Sequence, residues 1–216
     1  YIVHTSSTDA FEAALSARHE GTDITVETCP HYLTHDVDWK RGTIGKINPP
    51  LRERADCDAL WHGILNGSVD TIGSDHVHRT IAAKEGGIWK ASPGCPGLET
   101  LMPVVLTEGH HKRGIRLSRV AELLSEGPAR AMGLWGRKGA IAPGFDADIA
   151  IVDIDAVYDL TPDLVRSDAG YSIYEGWTLR GRVTDTLIRG TEVFRNGEIV
   201  KGTTGHGTYL RRSLVA

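Results

Sequence analysis

Short β-branched runs alternate with helical runs over the first 125 residues, and that alternation restricts the fold more than any other feature of the chain. "YIVH" (1–4) has the pattern of a short buried strand. "TDAFEAALSARHE" (8–20) predicts a helix with Thr8 as N-cap, Phe11, Ala14, Leu15 and Arg18 at helical spacing, and Gly21 as its stop. "DITVETC" (23–29) is a second strand, ended by Pro30, and "HYLTHDVDW" is a loop or short helix. "TIGKINPPLRE" (43–53) is a third extended piece, closed by a double proline. Residues 53–66 predict a helix with Ala55, Ala59, Leu60, Gly63 and Ile64 on one face, and "VDTIGS" (69–74) a further strand. Parallel strands need a crossover of a dozen or more residues, usually a helix, and the helical runs between these strands have that length. The expected class is therefore α/β with a parallel sheet.

Residues 76–97 hold six glycines and prolines and are expected to form a long loop, of the kind that serves as a lid or binding loop. "GLETLMPVVLTEGHHKRG" (97–114) and "LSRVAELLSEGPARAMGL" (117–134) predict helices, the second with Ser118 as N-cap and a stop near Gly127-Pro128, followed by a further short helix. The pattern changes near residue 139. Three short β-rich pieces separated by "RG" and "NG" indicate a small β module from 139–155 and 181–201, with Asn196-Gly197 as its strongest hairpin signal. The tail from residue 202 onward is expected to be extended.

Composition narrows the function classes. A formal net charge of −4 gives no basic footprint for nucleic acid. No apolar run approaches the roughly 18 residues of a membrane span, and "YIVHTSS" lacks the pattern of a secretory signal. Three widely spaced cysteines, Cys29, Cys57 and Cys95, form no CxxC, which suggests free thiols in a reducing, cytoplasmic setting. The chain starts without Met and inside a strand pattern, so a longer parent chain is expected.

Three polar residues occupy the same place relative to their strands: His4 closes "YIV", His31 follows "TVETCP", and Asp75 closes "TIGS". Reactive groups of parallel barrels come from the C-terminal ends of several strands, and a His/Asp set suits Zn²⁺. Taken singly, each has a plainer reading. His4 could be a hydrogen-bonded core histidine, His31 a loop residue and Asp75 a turn aspartate.

The flanks favour the metal reading. "YIVHTSS", "ETCPHYLT", "NPPLRE", "GSDH" and "GAIAPGFDADIAIVD" occur in the order and spacing of the cyclic amidohydrolases, the hydantoinases, dihydropyrimidinases, allantoinases and dihydroorotases. The chain resembles the later half of that family. The resemblance implies the C-terminal half of a (β/α)₈ TIM barrel in residues 1–138. It further implies a segment of a small β-sandwich with a tail in 139–216. It also implies two Zn²⁺ per complete subunit, with other divalent metals possible. By the same resemblance His4 binds one ion, and Asp75 binds the other and takes the proton of the attacking water. Asn48 holds the ring amide through its backbone, His31 lies near the mouth of the site, and the stretch "PGCPGLET" closes over the ring. The family usually has a proline after "DH-x", where this chain reads "DHVHR".

By that resemblance "YIVH" is the sixth barrel strand and "TIGS" the eighth. The paired histidines, the bridging lysine and the fifth-strand histidine then belong to an N-terminal half that the complete site requires. The expected reaction is hydrolysis of a cyclic amide to a ring-opened ureido or carbamoyl acid, in a homo-oligomer. "ETCPHYLT" and "SIYEGWTLRG" favour the hydantoinase and allantoinase branch, and "NPPLR" leans toward dihydroorotase. The rival readings are a metal-free assembly protein of the dihydropyrimidinase type, a one-metal deaminase-type hydrolase, and a plain α/β binding module.

Overall fold

The computed structural model describes residues 1–212. Three extended segments run parallel in chain order. Ile2 bridges Val26, and β1 (Glu27–Thr28) pairs with β2 (Thr71–Ile72), with Glu27 opposite Thr71 and Thr28 opposite Ile72. The regular ladders are much shorter than the predicted strands, because Pro30 and the turns at His4 and Asp75 break the pairing almost at once.

Helices make the crossovers. α1 (Thr8–His19) starts one residue earlier than its predicted cap implied: Ser7, not Thr8, accepts the Ala10 N–H. Thr8 instead gives its own N–H to Asp56 at 2.7 Å. Phe11 and Ala14, three apart, form the buried face. α2 (Pro30–Thr34) begins on proline, whose missing N–H costs nothing in a first turn. α3 (Arg54–Asn66) opens on a reciprocal Glu53/Asp56 capping box and closes on Gly67 at φ 86°. Its buried face carries Cys57, Leu60, Trp61, Gly63 and Ile64. It is therefore rotated from the expected one, leaving Ala55 exposed and Ala59 half-buried. Trp61 decides the rotation: its indole is buried and donates to the Leu33 carbonyl at 2.8 Å.

The third extended piece does not join the sheet. Gly42–Gly45 forms a 3₁₀ turn, and the prolines carry the chain on to α3. The 76–97 loop is pinned by Lys84. This buried lysine donates its ammonium hydrogens to the carbonyls of Lys46 (3.0 Å) and Gly94. Burial lowers its pKa, and the two carbonyls replace its lost hydration.

The next helical stretch runs from α4 (Leu101–Val104) into a π-wound segment, Val105–His111. The one after it runs from α5 (Leu117–Ala121) through a second π-wound segment, Glu122–Glu126, into α6 (Gly127–Ala131). The start is Leu117, preceded by Arg116, so Ser118 lies inside the helix rather than capping it. The wide turn sends the Gly127 N–H to Glu122 O and carries the chain past Pro128, which has no N–H to give. A methyl on Gly127 would lie 2.4 Å from the backbone carbonyl of Asp70, just before β2. Gly127→Ala is therefore expected to cost about 1–3 kcal/mol by overpacking. An unchanged urea midpoint would show that this helix start does not press on the sheet.

The remaining strands form an antiparallel sheet in the order β3 (Ile149–Asp159), β4 (Thr178–Ile188), β5 (Thr191–Arg195), β6 (Glu198–Ile199). Both predicted hairpins form. Arg189-Gly190 (φ 47° and 76°) and Asn196-Gly197 (φ 48° and 89°) supply the pair of left-handed residues that a two-residue turn needs. The sheet is longer than expected, since β3 continues to Asp159 and β4 begins at Thr178. The excursion between them, residues 160–177, buries Leu160, Tyr171, Ile173 and Tyr174 in the same hydrophobic core as Phe11, Leu60 and Trp61. Of the predicted extended tail, Arg189 holds residues 206–208 through the His206 carbonyl and the Thr208 hydroxyl, and 213–216 lie outside the described residues.

Candidate active site

Among the described residues four non-glycine positions have left-handed φ: His4 (41°), Asp75 (45°), Arg189 and Asn196. The last two make the hairpin turns. The first two end parallel strand segments, where no turn type demands such a conformation. Backbone strain of this kind persists only where the surroundings over-determine it, and it concentrates at functional sites.

Asp75 meets His31 beyond the end of β2. Asp75 Oδ2 lies 3.8 Å from His31 Nε2, too far for a hydrogen bond. His31 is 2 % exposed, and its Nε2 has no partner among the described residues. Burial, reinforced by the like charges of His35 and His4, lowers its pKa to about 3. The imidazole is therefore neutral, and the contact with Asp75 is not an ion pair. Asp75 is itself pushed above the usual carboxylate range by burial, with His4 opposing and Glu27 adding to the rise.

Cys29 completes the group. One ligand atom each of Cys29, His31 and Asp75 lies within 4.8 Å of the other two. Thiol, imidazole and carboxylate are the donors a divalent transition metal takes, and an orphaned buried imidazole nitrogen is an atom awaiting a partner. The residues present thus fit a cation. As it stands the Cys29 thiol is held protonated, chiefly by burial and then by the charges of Glu27 and Asp75.

His4 stands just outside this tight group, half-buried, yet its charge acts on both Asp75 and His31. Asn48 is exposed and does not join the cluster. Its segment is tied to the site from below, because Tyr32, next to His31, donates its hydroxyl to the Pro49 carbonyl at 2.7 Å. Of the four predicted residues the structure therefore brings His31 and Asp75 together, sets His4 beside them and leaves Asn48 exposed, outside the cluster.

Two participants escaped the sequence reading. Cys29 was legible only as a free thiol, although its place two residues after Glu27 puts both on one strand face. His76 had no assigned role. Its Nδ1 accepts the N–H groups of Gly97 (3.2 Å) and Leu98 (3.3 Å), so it fastens the glycine-rich loop beside Asp75.

Comparison with known proteins gives this arrangement a family. The model of the amidohydrolase family matches residues 3–193. An allantoinase from Solibacter usitatus is 42% identical over 211 residues, covering 95% of this chain and 45% of its own length. An L-hydantoinase from Paenarthrobacter aurescens is 36% identical, covering 98% and 47%. The crystal structure of dihydropyrimidinase from Brevibacillus agri superposes on the whole chain with a TM-score of 0.94 at 33% identity, using 49% of its own length. The chain thus spans about half the length of the relatives it matches. Its parallel strands and crossover helices are the corresponding part of a TIM barrel, with the antiparallel sheet following it. The match over most of the chain, on a fold shared throughout its length, establishes that the chain belongs to the amidohydrolase family.

Proposed function

We propose that this chain is the later half of a metal-dependent hydrolase that opens cyclic amides of the hydantoin or allantoin type. The observation that carries the reading is the pair of left-handed residues, His4 and Asp75, closing the parallel segments on either side of β1, beside an orphaned His31 nitrogen. In this reading residues 1–138 belong to the barrel and 139–216 to the β-sandwich segment and tail. The exposed β3 edge, with Ile151 and Val157 outward, suits further strands or a second subunit. Three buried free cysteines suit a reducing compartment such as the cytoplasm.

His4 and Asp75 would hold the ions, zinc by the chemistry of the donor set and two in the complete subunit. Bound there, a divalent cation supplies Lewis acidity toward the ring carbonyl and makes water a nucleophile near neutral pH. Asp75 does the proton work. Its carboxylate takes a proton from the attacking water as the C–O bond forms, and returns it to the ring nitrogen as the C–N bond breaks. A carboxyl already raised by burial is suited to holding that proton between the two steps. His31, neutral and buried, can hydrogen-bond a ring carbonyl or amide without adding charge. Asn48, exposed on the segment that Tyr32 ties to the site, would present its backbone to the ring amide.

The complete protein, loaded with zinc, is expected to hydrolyse hydantoin or allantoin, with dihydroorotate as the comparison substrate. Activity should vanish on chelation and return with added Zn²⁺. A protein that binds no metal would instead be an assembly protein of this fold, and turnover of dihydroorotate alone would move it to that branch.

A further inference from the structure

We propose that Glu27 is a positioning residue that holds His4 in its left-handed conformation and so sets the metal-binding half of the site; this rests on the reading of His4 as a ligand. A parallel ladder in register from Ile2 and Val26 would give the His4 N–H to the Glu27 carbonyl. The first steps of that ladder are present: Ile2 N–H donates to Thr25 O and Glu27 N–H to Ile2 O, both at 2.9 Å. Then the chain slips by one residue. Thr5, not His4, donates to the Glu27 carbonyl, at 2.8 Å. The slip leaves the His4 N–H without its ladder acceptor, at the residue with φ 41°.

The side chain of Glu27 takes up that hydrogen. Its Oε1 accepts the His4 N–H at 3.2 Å. Its Oε2 accepts the hydroxyl of Tyr1 at 2.7 Å, and the same hydroxyl meets Thr71 Oγ1 at 2.8 Å on the opposite strand. Glu27 therefore grips the first strand with both its backbone and its carboxylate. The space for the carboxylate exists because residue 73 is glycine: a Cβ there would stand 2.6 Å from Oε2. Each oxygen thus holds a group of the first strand, Oε1 the His4 N–H and Oε2 the Tyr1 hydroxyl. Glu27 acts through the His4 backbone, as partners behind metal ligands commonly do.

The test compares Glu27→Ala, Glu27→Gln and Gly73→Ala with the parent, in the complete protein. The readouts are zinc affinity by competition with a chromogenic chelator and hydrogen exchange at the His4 amide. Glu27→Ala and Gly73→Ala should weaken zinc binding by about 10- to 100-fold and speed exchange at His4, with cooperative unfolding retained. Gln keeps an acceptor for the His4 N–H and a donor for the Tyr1 oxygen, so Glu27→Gln should restore both readouts. Unchanged exchange in Glu27→Ala overturns the inference, and so does a Gln variant as impaired as Ala. If Glu27→Ala alone fails to fold, Gly73→Ala and Glu27→Gln decide the matter. A parent that binds no zinc refutes the hydrolase reading, and the exchange measurement then still judges the grip of Glu27 on His4.

Discussion

Asp75→Asn should lower kcat of the complete enzyme by about 100- to 10,000-fold, the range that general acid–base groups supply, and leave KM much less changed. Asparagine is the informative substitution. Asp75 sits at φ 45°, a conformation asparagine tolerates better than most residues, so the backbone survives the change. The amide is isosteric but cannot accept and return a proton. Because Asp75 would also hold an ion, the variant is compared with the parent at equal zinc content, and the loss then reports proton transfer rather than shape or missing metal. The pH–rate profile should lose its acidic limb at the same time, since Asp75 is the carboxyl that must be ionised to take the proton, and burial raises its pKa. Near-normal turnover in Asp75→Asn would remove this residue from the proton transfer and with it the proposed mechanism.

Acid should destabilise the fold through two buried imidazoles, with the metal removed by chelation. His31 and His35 are lowered to about 3 and about 4, chiefly by burial, whereas an unfolded histidine titrates near 6.5. The unfolded chain therefore binds protons that the folded chain refuses. The stabilisation is complete above about pH 6.5 and drains away as pH falls toward the folded values. Between pH 7 and pH 5 each histidine should remove about 2 kcal/mol, at about 1.4 kcal/mol per unit below 6.5. Urea midpoints at the two pH values measure the sum, and His31→Gln with His35→Gln should flatten the dependence. A midpoint that stays level from pH 7 to 5 in the parent would mean that water or a flexible loop reaches these rings. His35 packs between Trp39 and Tyr174 and stacks on Trp177, which argues for a dry site.

Local chemistry made much of this molecule readable in advance. The two-residue turns at Arg189-Gly190 and Asn196-Gly197 need only the φ preferences of the residues in them. The α1 and α3 helices follow from spacing and stop signals, and their errors are small. Ser7 rather than Thr8 caps one, and Trp61 rather than Ala55 faces inward on the other. Both errors come from competition. Two adjacent hydroxyl residues are equally good caps on paper, and a large indole with a buried partner outranks a methyl group for a place in the core. The extended piece expected at 43–53 opens instead on the Gly42–Gly45 3₁₀ turn, since β-like composition cannot say whether a neighbouring strand is there to pair with.

What the sequence alone determined is the set of strand-ending polar residues and the parallel α/β class of their strands, because strands alternating with helical runs of crossover length are the signature of that class. Tertiary structure alone decided which of those residues meet. It joined Cys29 to His31 and Asp75, left Asn48 exposed outside the cluster, and fitted the Glu27 carboxylate into the room left by Gly73. Those contacts join residues up to 46 positions apart in the chain, and the turn of His4 toward the Glu27 side chain depends on a one-residue slip between the first strand and β1. Such a slip changes hydrogen-bond partners without changing any local preference, so it is settled only when the strands pack.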